Sequence, residues 1–425
     1  MPAIGGTSLQ SWRFLAAFLL VLLVSVVPRG FAVDSCDGSP PGMWPADNPD
    51  TQQGGEKNAL HPVVWTNDFH ISTIGNVKKL LEPIGVKFID KSLSGHCHMT
   101  KTCAKDLKVL NRGNGITPNP AIRKEFQQVY ASDPEFAQVD VVMCFHPSAM
   151  CELFMPLGKR LFVIATTRYE MGRHQKSEWE EWNKNLLEIA ADKNNVVAAN
   201  NPYDQHYIEY FTGIRPLLLP SVIRMPDSYT GESSDILVTA MHPNRPPIWA
   251  QLNAVSSRLV SLRRKYGHYS YKQLCENTAI LHIPYQLSVM SLFEHYAMGI
   301  PILVPSPKFL WELHDAYDVV TERTWTRVHT STRPTGSIIP GFKTSDSVPD
   351  PNDDRSEEAF LHWAQYGDYY TLPHIVQFDS WDHLRDILEK YGPTDWRAVS
   401  EKMLASNAKL LEQVTEKWKT LLRMQ

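Results

Sequence analysis

Short apolar runs, each closed by proline, asparagine or glycine, recur along the chain and alternate with stretches of helical period. Val63–Thr66, Val86–Ile89, Val139–Cys144, Leu161–Ala165, Asn195–Ala199 and Leu217–Ser221 read as buried strands. Between them, Asn76–Leu81 and Ser177–Ala191 read as helices. The second carries Trp179, Trp182, Leu186, Leu187 and Ile189 as its apolar members. A polar, proline- and glycine-containing link, Met225–Ser234, separates this half from another of the same kind. There Ile236–Thr239, Ala279–Ile283, Ile302–Val304 and Ile375–Phe378 read as strands, and Trp249–Tyr266, Tyr271–Glu276 and Val289–Met298 as helices. Val289, Leu292, Phe293 and Tyr296 share one side of the last helix, Gly299 stops it, and Pro301 follows where it could not continue.

Strand, loop, helix, glycine turn, strand is the unit of an α/β protein. The expected fold is therefore two Rossmann-like, doubly wound domains with a cleft between them. The expected boundaries are 61–224 and 235–393, with a loop insertion at 323–355 that reads as a lid or an unstructured insert. Too few residues part the loop after Ile236–Thr239 from the strand at Ala279–Ile283 for a full half, so the second domain reads as abbreviated. Residues 394–425 read as a terminal helix long enough to pack back on the first domain.

The N-terminal region reads as an address. Arg13 precedes a 14-residue apolar run, Phe14–Val27, and Gly30-Phe31-Ala32 follows as a small-x-small cleavage site. A membrane span needs about 20 residues. Residues 1–32 thus read either as a cleaved signal peptide or as a type II anchor through residues 14–27, and 33–60 as a stem. The expected location is the secretory lumen, Golgi or ER, anchored or secreted. Six cysteines agree with an oxidising compartment. Cys97 and Cys103 are the first pair expected, and Cys144 and Cys151 flank a short loop. Clustered His96, Cys97, His98 and Cys103 leave zinc as a competing idea, though without an ordered ligand spacing. With 42 Lys plus Arg against 46 Asp plus Glu, the net charge of -4 gives no case for nucleic acid binding.

The polar residues between Tyr285 and Ser306 add chemistry to the fold signal. Glu294, Ala297, Gly299 and Pro301 form Glu-x-x-Ala-x-Gly-x-Pro, and Gln286 lies eight residues before Glu294. This segment resembles the nucleotide-sugar site of GT-B glycosyltransferases. The resemblance implies that Glu294 accepts hydrogen bonds from the donor ribose. It also implies that backbone N–H groups from Ser288 to Ser291, at a helix N-terminus, face the diphosphate, where the helix dipole favours an anion. Gln286 departs from the family, standing where many retaining members carry a glutamate. Arg245, with His242 beside it, follows the second domain's first strand and is the candidate cation for the leaving group. No Asp-x-Asp follows a strand, so neither a divalent metal nor another cofactor is expected.

For an acceptor base, His70, Asp68 and His146 sit in strand-end loops of the first domain. There a carboxylate at Asp68 could orient the His70 imidazole. Arg168 follows another strand, facing the cleft or paired with Glu170. The expected partners are a UDP- or GDP-sugar donor and a glycan, protein or lipid acceptor. A catalytically silent carbohydrate- or nucleotide-binding protein on the same fold is the alternative, and a sugar-nucleotide epimerase a weaker third.

Overall fold

The computed structural model describes residues 61–241, 244–323, 330, 332–342 and 348–424. The expected signal or anchor, the stem and His242 lie outside the described residues. Among the described residues, no helix is long and apolar enough to cross a membrane.

Six parallel strands form the first sheet. They are β1 (Val63–Thr66), β2 (Lys87–Asp90), β3 (Val141–Cys144), β4 (Arg160–Ala165), β5 (Val196–Ala199) and β6 (Leu217–Leu218). Their order is β2-β1-β3-β4-β5-β6, with Val64 opposite Val141 and Val142 opposite Leu161. Residues 141–144 are buried without alternation, as expected of a strand covered on both faces. Five parallel strands form the second sheet: β7 (Ser233–Val238), β8 (Leu259–Ser261), β9 (Asn277–Leu281), β10 (Ile302–Pro305) and β11 (Val376–Phe378). Their order is β11-β10-β9-β7-β8. The two sheets share one winding. In each, the first strand is flanked by the second and third, and the chain then runs on outward. The connection reverses direction between β1 and β3, and between β7 and β9, which opens a crevice at the carboxyl ends of those strands.

The second domain is smaller by one strand, yet its winding is complete. The stretch that reads as one helix, Trp249–Tyr266, is divided: a helix at Pro246–Val255, strand β8, then a short helix at Leu262–Tyr266. Leu237 pairs with Val260, and the Ser261 hydroxyl caps the following helix by accepting from the Arg264 N–H. The Met290–Ala297 helix ends at Gly299, whose φ of 67° is in the left-handed region. A Cβ there would stand 2.6 Å from Leu404 Cγ, so the close approach of the terminal helix also demands glycine.

That terminal helix spans Pro393–Leu422. Its Leu411, Val414, Trp418 and Leu422 pack among Val64, Phe162 and Ile164 of the first sheet, and its Met403 packs against Leu292, Phe293 and Tyr296 of the second domain. One helix thus clamps both domains. The insertion is tied down as well. Asp354 accepts from Arg323 Nε at 3.1 Å and meets His314 Nε2 at 3.2 Å. Asn352 hydrogen-bonds the Tyr207 hydroxyl, and the Phe342 N–H donates to the Tyr210 carbonyl, both on the first domain's Pro202–Thr212 helix. Its described residues act as a strap between domains rather than as a detached lid.

Cys97 is bonded to Cys103, and Cys144 to Cys151. The first bond consumes the two thiols that a zinc site would need.

Candidate active site

Both reversal points face one another across a shared cleft. At the carboxyl end of β1 the chain passes through Asn67, Asp68 and Phe69 to His70, which begins the Ile71–Leu81 helix. At the end of β3 it turns through Phe145 and His146, joined to Pro147 by a cis peptide bond. The Phe69 N–H donates to the His146 carbonyl at 2.8 Å, which zips the two loops together. The His70 and His146 rings come to 5.4 Å between centroids. Burial, and then the His96 charge, push His70 down to about 4. Burial, and then His70, push His146 down to about 3. Both imidazoles are therefore neutral at physiological pH and hold a lone pair for a proton. Among the described residues, His70 Nδ1 has no hydrogen-bond partner.

Asp68 does a different job from the one its position suggests. It is fully buried, and its Oδ1 accepts the backbone N–H of His70 at 2.6 Å instead of the imidazole. Burial, then repulsion by Asp90, raise its pKa well above the usual carboxylate range. It fixes the turn and does not line the cleft.

From the second domain, the loop after β9 carries Tyr285, Gln286 and Ser288 into the cleft, and the Met290–Ala297 helix follows. Val289 precedes that helix without a side-chain cap, which leaves its first turn open to a ligand. The Ser288 hydroxyl donates to Asp368. Gln286 Nε2 donates to Glu322 Oε2 at 2.6 Å. Glu294, one turn into the helix, faces Lys79 on the opposite domain and the Tyr271 hydroxyl. Burial lifts its carboxyl to about 7, opposed by those two groups.

The cleft, with the solvent space at its open mouth, amounts to about 670 Å³. His70, Thr73, His146, Thr166 and Thr167 line one wall, and Tyr285, Gln286, Ser288, Ser291, Glu294 and Glu322 line the other. A chamber of about 490 Å³ adjoins it, at the carboxyl ends of β7 and β9, and shares Tyr285, Val289 and Ser291 with it. Thr239, Arg263, Tyr269 and His282 also line this chamber. Both the Arg263 and Glu294 charges act on the Tyr269 hydroxyl, so Glu294 stands near the junction of the two spaces.

No family model matches the sequence, and no curated protein matches it. Among solved structures, the chain is similar to the glycotransferase of kitacinnamycin at 9% identity and a TM-score of 0.36, over 85% of this chain and 99% of that one. It is similar to TarM at 10% identity and a TM-score of 0.38, over 71% of this chain and 58% of that one. It is also similar to the glycosyltransferase SnogD from Streptomyces nogalater, at 10% identity and a TM-score of 0.38, over 85% of this chain and 99% of that one.

Six residues singled out in the sequence meet in this cleft: His70, His146, Gln286, Ser288, Ser291 and Glu294. Arg168 and Arg245 do not. Arg168 is buried, with Nε and Nη2 donating to the two oxygens of Asp204 at 2.7 and 2.9 Å and its guanidinium 4.3 Å over the Tyr203 ring. Its partner is Asp204, not Glu170, which takes the Tyr207 hydroxyl at 2.7 Å. Arg245 donates to the Asp318 carbonyl and lines neither space. Among the described residues, Arg263 lines the adjoining chamber, and Lys79, outside both linings, acts by its charge on Glu294. Neither has a local signature in the sequence. Nor does Glu322, which reaches the cleft from beyond the Pro307–Tyr317 helix.

Proposed function

We propose that this chain is a glycosyltransferase of the secretory pathway. It would move a sugar from a UDP- or GDP-sugar to a hydroxyl of a glycan, protein or lipid acceptor, without a metal. The observation that carries this reading is the meeting of the two reversal points. Ligands of open α/β sheets bind at such points, and here two of them share one cleft lined by the residues of the Gln286–Glu294 segment.

In this reading the chamber beside β7 and β9 takes the nucleotide, with Tyr269 offering a ring face for the base and Arg263 a cation. Glu294, at the junction, accepts from the ribose hydroxyls. The open first turn at Met290 and Ser291 receives the diphosphate, with Lys79 across the cleft adding charge. The sugar then lies toward the wall that carries His70 and His146, where an acceptor hydroxyl would enter. The acceptor oxygen attacks the anomeric carbon while its proton passes to the His70 imidazole. The bond from that carbon to the diphosphate oxygen breaks, and its electron pair leaves on the diphosphate. Fixed cations and N–H groups at the leaving group do the work that a divalent ion does elsewhere.

The domain limits 61–224 and 235–393, with 394–425 as the clamp, belong to the same proposal. So does the secretory address, which the two disulfides support. The test begins with melting of the purified protein in UDP, GDP and a panel of their sugars, because a ligand of the folded state raises the transition. A transfer assay with the stabilising donor follows. No stabilisation by any nucleotide would refute the proposal, and stabilisation without turnover would leave a binding protein.

A further inference from the structure

Glu322 belongs to no motif in the sequence, yet it is built into the cleft. Its backbone N–H donates to the Tyr285 carbonyl at 3.0 Å, which clips this segment to the loop after β9. Its Oε2 accepts from Gln286 Nε2 at 2.6 Å. Among the described residues, that amide is the carboxyl's only hydrogen-bond partner, and no cation pairs with it. A half-buried carboxyl without a counter-charge gives up part of its hydration uncompensated, which is costly to keep. Burial accordingly lifts it to about 7, with the Gln286 bond pulling the other way. Groups held at such a cost are candidates for ligand contact.

The chemistry of that ligand follows from the charges. Lys79 stands opposite Glu294, and Arg263 lies in the adjoining chamber. An anionic diphosphate is drawn to those cations and is repelled by a carboxylate. Arg168 donates to the carbonyl of Arg323, which sets Glu322 near the strand end that carries Thr166 and Thr167, and this polar, cation-free part of the lining suits a neutral ligand rich in hydroxyl groups. One Glu322 oxygen and the Gln286 carbonyl remain to accept from such hydroxyls, and near neutral pH the carboxyl can also donate.

We infer that the Glu322 carboxyl, held in place by Gln286, binds hydroxyls of the transferred sugar and sets which sugar is accepted. This rests on the sugar-transfer reading. It also gives Gln286 a positioning part: the amide holds a carboxyl supplied by a distant segment.

The experiment compares dissociation constants of UDP, UDP-glucose, UDP-N-acetylglucosamine, GDP and GDP-mannose for the wild-type chain, Glu322→Gln and Glu322→Asp. The amide variant keeps the shape and a bond to Gln286. The aspartate keeps the charge on an arm one methylene shorter. Both variants are expected to bind the bare diphosphates within about twofold of wild type, which also reports that they are folded. Both are expected to lose about tenfold or more of the extra affinity conferred by the sugar, the size of a lost hydrogen bond to a charged group. A Glu322→Gln protein that keeps the full sugar preference would overturn the inference and make Glu322 a structural partner of Gln286. Wild-type protein that binds diphosphates but gains nothing from a sugar would overturn it too, while leaving nucleotide binding in place. Wild-type protein that binds no nucleotide would remove the sugar-transfer reading, and this inference with it.

Discussion

Replacing Glu294 by glutamine should make the protein more stable at alkaline pH and worse at binding donor. In the folded chain, burial lifts this carboxyl from 4.5 to about 7. The folded state therefore holds its proton over a range in which the unfolded chain has released it. Below 4.5 both states are protonated, and the residue costs nothing relative to glutamine. As pH rises from 4.5 to 7 the folded protein loses stability, and above 7 the full penalty applies. One pH unit corresponds to about 1.4 kcal/mol, so the ceiling is about 3 kcal/mol. Glu294 is half-buried rather than sealed, so solvent reduces this to about 1–3 kcal/mol. Glu294→Gln removes that penalty and keeps the shape. Its melting temperature should match wild type at pH 4.5 and exceed it by several degrees at pH 8, at about 2–4 °C per kcal/mol for a large domain. Donor affinity should fall about ten- to hundredfold, because an amide makes a weaker bond to ribose hydroxyls than a carboxylate does. Unfolding scans at both pH values and a donor titration at pH 8 read the two effects. A variant no more stable at pH 8, or one that keeps full donor affinity, would refute the placement of this carboxyl.

Three other outcomes are expected. His70→Ala should lower turnover about 10²–10⁴-fold with donor affinity unchanged, as loss of a base does; equal losses in both, measured by steady-state kinetics and donor titration, would make it a structural histidine. Arg168→Met leaves Asp204 ionised and buried, and should cost about 3–5 kcal/mol in denaturant unfolding; a fully stable variant with impaired turnover would return Arg168 to the chemistry. Opening the Cys144–Cys151 bond as Cys144→Ser/Cys151→Ser should cost about 2 kcal/mol, given the short loop it closes beside His146, and be read as a lower melting temperature.

How much of this was legible in the sequence depended on distance along the chain. Strands showed themselves because parallel strands covered on both faces are continuous apolar runs, and proline or glycine marks their ends. β8 escaped because it has only three residues between two helices, and Leu259 and Leu262 fall three apart, as they would in a helix. The second-domain wall of the cleft was readable because Gln286, Ser288, Ser291 and Glu294 lie within one strand-loop-helix unit, where spacing alone sets relative position. Arg168 was misread for the converse reason: Glu170 is its near neighbour in sequence, but the helix beginning at Pro202 brings Asp204 to it from 36 residues away. Lys79, Arg263 and Glu322 were silent, because each reaches the cleft from an element whose placement only the tertiary structure decides.

In the proposed reaction, the distribution of charge calls on both domains. Beside the cleft the second domain sets two carboxyls, at Glu294 and Glu322, against one cation, Arg263, and a helix start, which by themselves would admit a diphosphate poorly. The Ile71–Leu81 helix of the first domain brings Lys79 to Glu294, and the same helix begins at His70. In the proposed reaction this one element would supply a base for the acceptor at its start and a cation for the leaving group near its end. Its separation from that loop is set by the Pro393–Leu422 helix, which packs on both domains. Anything that loosens the clamp should move Lys79 and His70 together, so binding and turnover would weaken in concert, whereas His70→Ala would separate them.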